Sequence, residues 1–343
     1  MCIGNNKYKA PQIDFNDTIL LGLEVLNPTN HRVEHVLGYY NTVSARSVAA
    51  PTSSKDLGWE RKHGAAAGGF GWKVPRPIMS FGNAMLFAVP AKPGTLNRDS
   101  LIPVSKFPHF MQDYKTAVSP TPPQMRSYTL SISKSVDPEP IVVKGFDGGT
   151  YDVVIAQKAG DIPLVISKVD EAKRPQINAD LYAKLNLLYP DFTFVLFCFS
   201  EEDKAKSGCQ LMKYEPHPEL DHLLYLPGVD GHNGEVENGD VTLNHTLVVG
   251  SYLMDKIAAS RVLFTDPGLK ATYPFLLDRV IGKVIPAGTK ARQGDFLFLL
   301  DDVRKGDFRA KRELPPGWEQ VFGTGYRSDL PELIEIEASD LGF

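Results

Sequence analysis

"YPDFTFVLFCFS", residues 189–200, decides the class of fold. From Phe192 to Phe199 a single threonine interrupts an otherwise apolar run rich in aromatic residues. A run of that length without polar alternation fits a strand covered on both faces. Just before it, "QINADLYAKLNLL" (176–188) repeats Ile177, Leu181, Leu185 and Leu188 at helical spacing, which predicts a helix.

Working outward, strand signals dominate. Apolar or alternating runs predict strands at 17–26, 31–40, 83–91, 126–133, 140–146, 151–157, 162–167, 241–253, 294–301 and 332–338. Segments 209–216 and 221–227 read as continuations of the sheet that holds 189–200. In 31–40, period-two alternation places His31, Val33, His35, Leu37 and Tyr39 on one face. Helical turns are expected in 107–118 and in the middle of 268–284. The glycine-rich stretch 60–77 reads as a loop, and "SPTPPQ" (119–124) as a linker held extended by its prolines. The pattern is α+β, with strand-rich mixed sheets, few helices and length enough for two packed subdomains. Helices are too few for a doubly wound parallel sheet. The expected regions are a β-rich 1–122, a central α+β 123–267, and a β-rich 268–343 packing on the central one.

Composition narrows the classes. The chain has 343 residues, 43% of them hydrophobic, which is enough for a substantial core. A net charge of −4 argues against a nucleic-acid surface. No apolar run reaches 18 residues, so no membrane helix is expected. The start lacks the apolar centre of a signal peptide, and three cysteines are too few for a disulfide framework. These features lead us to expect a cytoplasmic protein.

The most function-like segment runs from Tyr214 to Asp255. It contains eight carboxylates and no lysine or arginine, and it holds His217, His222, His232 and His245, four of the chain's eight histidines. Two exposed like charges ~6 Å apart repel by only about 0.7 kcal/mol in water, so a solvated surface tolerates this charge. A crowded one requires a cation or a basic partner. Within it, "LPGVDGHNGEVENGDVTLNH" (226–245) carries glycine turn signals that also fit a plain solvated loop. Asp230 and His232, two apart, face the same way on an extended chain, and His245 could return as a third ligand. Imidazole with carboxylate suits a divalent transition metal and so a hydrolase or oxygenase. The spacing is not that of an EF-hand, because Glu235 and Val241 stand where glycine and glutamate are required.

Two further features have chemical readings. Met1-Cys2 resembles the start of N-terminal-nucleophile hydrolases over two residues, where removal of the methionine would let the α-amine activate the Cys2 thiol. The following "IGNNKYKAPQ" is polar where those enzymes place a buried strand. "RKGDFRAKR" (304–312) has five bases against one acid and could pair with the acidic segment, within one chain or between copies. No P-loop, nucleophile elbow, zincin helix or C-x-x-C occurs. The sequence therefore favours a binding or assembly protein whose acidic, histidine-bearing segment meets a cation or a basic surface. A metal-dependent enzyme using Asp230, His232 and His245, or an amide hydrolase using Cys2, are the alternatives.

Overall fold

The computed structural model describes residues 2–3, 13–27, 31–45, 82–119, 139–203, 208–231, 236 and 238–322. The expected strands at 126–133 and 332–338 and the glycine-rich 60–77 lie outside them, as does all of 119–124 except Ser119.

The run at 189–200 forms strand Thr193–Phe199, with every residue buried. It lies inside a four-stranded antiparallel sheet, between Asn83–Val89 and Tyr151–Ala156, with Ile141–Phe146 at the far edge. Val195, Phe197 and Phe199 enter one core, while Phe194, Leu196 and Cys198 enter another. That division explains why the run shows no polar alternation. Burying one such phenylalanine contributes about 1.5–3 kcal/mol.

The second core packs under helices Ile162–Val165, Ala179–Leu188 and Trp318–Phe322. In Ala179–Leu188 the Asn178 side chain accepts from the Leu181 N–H and caps the first turn. The first core lies between the four-stranded sheet and a six-stranded mixed sheet. That sheet runs in the order Ser260–Arg261, Arg279–Val284, His245–Ser251, Ile13–Leu26, Val33–Ala45, Cys209–Tyr214. Its middle pair, His245–Ser251 on Ile13–Leu26, is parallel, and its neighbours are antiparallel. Helix Phe110–Val118 covers its outer face through Phe110, Met111 and Tyr114. A three-stranded sheet, Ala310–Glu313, Asp295–Leu299 and Leu223–Leu226, adds Phe296 and Phe298 to the first core. The short ribbons Asp240–Leu243 with Thr289–Arg292, and Cys2–Ile3 with Asp230–Gly231, complete the sheets. The architecture is α+β and strand-rich. The six-stranded sheet draws strands from all three regions marked out by the sequence.

The structure departs from the local expectations at four places. Residues 162–167 form a helical turn rather than a strand. Pro163 sits in its first turn, and Ile162, Val165 and Ile166 are buried at helical spacing while Leu164 is 72% exposed. Segments 209–216 and 221–227 belong to the six- and three-stranded sheets, not to the sheet of 193–199. In 268–284 the helix is Gly268–Thr272, at the start; Pro274 stops it, and β-branched Val280 and Ile281 lie in a strand, paired with Ser260 and Val249 respectively. The single strand expected at 241–253 is two, divided at Asn244.

Candidate functional site

Asp230 lies in a two-residue strand, in register with Cys2, so the backbones of two sequence candidates run side by side. His232 is outside the described residues. His245 begins a strand opposite Thr18; its Nδ1 accepts from the Asn244 N–H, and its ring sits 6.3 Å from that of Phe296. Among the described residues no group of three or more histidines, cysteines or carboxylates is gathered closely enough to hold a metal. Burial pushes the thiols of Cys198 and Cys209 well above their ordinary range, so neither offers a thiolate nucleophile at neutral pH.

The acidic segment is rooted on a buried carboxylate. Asp295 accepts the N–H groups of Gly228 (2.9 Å) and Val229 (3.2 Å) and the hydroxyl of Tyr189 (2.9 Å). Burial raises its pKa, and the N–H donors work against that rise. Strand Asp295–Leu299 pairs on one side with Leu223–Leu226 and on the other with Ala310–Glu313. The acidic and basic segments therefore flank one strand of the same molecule. Arg312 reinforces this by donating to the carbonyls of Gly228 and Arg292 while its guanidinium lies 4.5 Å over the Phe296 ring.

At the end of the acidic segment, register builds a polar row across four strands. Ser251 pairs with Glu24, Glu24 with His35, and His35 with Tyr214. All four are buried. The Ser251 hydroxyl and the Arg304 guanidinium both donate to Glu24, the latter through two nitrogens. Arg304 comes from helix Leu300–Lys305, so this ion pair ties that helix to the six-stranded sheet. His35 packs edge-on to Tyr214 at 5.8 Å, and its Nε2 has no hydrogen-bond partner among the described residues. Burial, with the Arg304 charge, lowers its pKa to about 4. A row sealed from solvent cannot receive a substrate. What it does is fix the chain that leaves Ser251.

That chain, 252–258, is held at nearly every step. The Tyr252 N–H donates to the Glu24 carbonyl, Leu253 N–H to Ser251 Oγ, Met254 N–H to the Ser251 carbonyl and Asp255 N–H to the Arg304 carbonyl. Ile257 N–H donates to Asp255 Oδ1 at 2.9 Å, and Arg279 donates to the Lys256 carbonyl at 3.0 Å. On this fixed loop Leu253 is 54% exposed and Ile257 94% exposed. His35 was legible as a face-mate of Leu37. Glu24, Ser251, Arg304 and Ile257 were missed as a group, because only strand register brings Glu24 and Ser251 together and only the packing of helix Leu300–Lys305 carries Arg304 to them.

A half-open cleft of about 310 Å³ lies farther along the same chain. Phe107, Phe110, Pro267 and Leu269 wall it, Asp113 and Asp266 add carboxylates beside His109, and no lysine or arginine among the described residues lines it. Asp113 accepts the Thr265 N–H and hydroxyl, which holds the two sides of the cleft together.

No family model and no curated protein sequence matches the chain. Among solved structures, it is similar to the crystal structure of baculovirus P35, with a TM-score of 0.35 and 12% identity over 85% of this chain and 90% of that one. It is also similar to a mutated baculovirus P35 after caspase cleavage, with a TM-score of 0.34 and 10% identity over 83% of this chain and 91% of that one.

Proposed function

We propose that the chain is a binding or assembly protein that presents loop 252–258, at the end of its acidic segment, to a protein partner. The observation that supports this most is the 94% exposure of Ile257 on a loop tied down by six hydrogen bonds. An isoleucine left in water forgoes about 1.5–3 kcal/mol of burial. A loop already rigid loses little conformational entropy when it docks, so most of that burial is realised as affinity. The flanking Leu253 and Lys256 define the complementary surface: an apolar recess with acidic groups beside it.

A photoreactive amino acid placed at 257 tests the reading, with the same group at exposed Leu164, on the opposite helical layer, as control. The reading predicts one dominant protein adduct from 257 and none from 164. Equal, diffuse labelling from both positions contradicts it.

A further inference from the structure

The loop and the cleft fit each other's description, and we infer that Ile257 of one copy of this chain docks into the cleft between helix Phe110–Val118 and residues 265–269 of a second copy. The inference rests on the reading of loop 252–258 as the contact, and it names the partner.

The cleft supplies what the loop requires. Its walls are Phe107, Phe110, Pro267 and Leu269, which offer an apolar lodging for the Ile257 side chain. Asp113 and Asp266 stand in the same lining, where His109 is the one basic side chain among the described residues and no lysine or arginine pairs with them. Lys256, exposed next to Ile257, carries the matching charge, while the neighbouring exposed Asp255 turns its Oδ1 back onto the Ile257 N–H. Both carboxylates are already oriented: Asp113 by Thr265, and Asp266 by the Gly268 N–H at 2.7 Å. An ionised carboxylate has acceptor capacity beyond those bonds. Recess and knob are thus both preformed, which lowers the cost of association.

Ile257 and Asp266 are nine residues apart, so at most ~30 Å of extended chain separates knob from recess. In a pair related by a two-fold axis both knobs insert at once. Such an isologous contact closes on itself, whereas a head-to-tail contact generates rings or filaments. Each dimer would carry two Ile257 insertions and two pairs of Lys256 with Asp266.

The experiment measures molar mass by sedimentation on the full chain across a concentration series. The parent chain is expected to be a dimer, and Ile257→Asp a monomer with unchanged circular dichroism. Lys256→Asp and Asp266→Lys should each weaken the dimer about a hundredfold or more, because each places like charges in both contacts. Mixing the two variants should restore dimers, since in the mixed pair every contact again joins opposite charges. A restored dimer would be hard to explain by any structural damage to one variant. A parent chain that stays monomeric at high concentration overturns the inference, as does a dimer indifferent to these changes. Adducts from position 257 that join a different protein would overturn self-docking and leave the loop reading standing. Absence of any specific adduct would remove both.

Discussion

Glu24 and Arg304, 280 positions apart in the chain, form a two-pronged ion pair in which the carboxylate is sealed from solvent. Arg304 keeps a third of its side-chain surface exposed and also holds Asp301 at 3.2 Å. Removing one partner of such a pair strands a buried charge, which costs more than the pair itself contributes. Arg304→Met should therefore destabilise the fold by about 3 kcal/mol, near the low end for buried pairs because the arginine is partly solvated. Adding Glu24→Gln should recover most of the loss. Urea denaturation of the four proteins of this cycle reads both effects, and additive losses would contradict the pairing.

His35 predicts an acid limb in the stability curve. Its folded pKa, about 4, lies below the ordinary 6.5, so the unfolded chain binds its proton more readily. Its contribution is complete above pH 6.5 and is lost as pH falls toward 4, by about 3 kcal/mol in full. The groups facing it are Glu24 and Tyr214 on the neighbouring strands and Arg304 from the helix. Melting temperature should fall across that window in the parent chain and fall less in His35→Phe. The same acid slope in both proteins would place the sensitivity elsewhere.

Val195→Asp tests the strand from which the fold was read. Val195 is fully buried and pairs on both sides, with Phe87 and with Ile155. An unpaired carboxylate there is severely unfavourable, and the variant should yield no soluble folded chain. A soluble variant with unchanged melting would refute the interior position of this strand.

Gly306 connects the basic segment to the loop. It ends helix Leu300–Lys305 with a left-handed φ of 79°, and a Cβ there would strike Ala258. Gly306→Ala should cost about 1–3 kcal/mol and shift residues 256–259. Chemical-shift changes confined to helix 300–305, with none in the loop, would contradict the contact.

Strand 193–199 and helix 179–188 were legible because burial on both faces, or on one stripe, writes itself into local pattern. The turn at 162–167 was misread because six residues with a proline fit either period, and the helical spacing of Ile162, Val165 and Ile166 is as short as one turn. The Ser251–Glu24–His35–Tyr214 row could not be read at all. It depends on a parallel pairing between strands more than 200 residues apart, and a shift of one residue would turn every member to the other face. Ile257 carried no signal of its own, since a single exposed apolar residue is ordinary until its backbone is known to be fixed.

If loop 252–258 is the docking element proposed above, it is held in place before it meets a partner, and amide hydrogen exchange on the dilute free chain reads this without any partner present. The N–H groups of Tyr252, Met254 and Asp255 are bound to the Glu24, Ser251 and Arg304 carbonyls. They should exchange about a hundredfold or more slowly than open-chain amides, matching local opening free energies of roughly 3 kcal/mol. In Arg304→Met the protection of Asp255 should drop with the helix that carries its acceptor. Exchange of all three at open-chain rates in the parent protein would mean that the loop is not preformed, and would contradict the account.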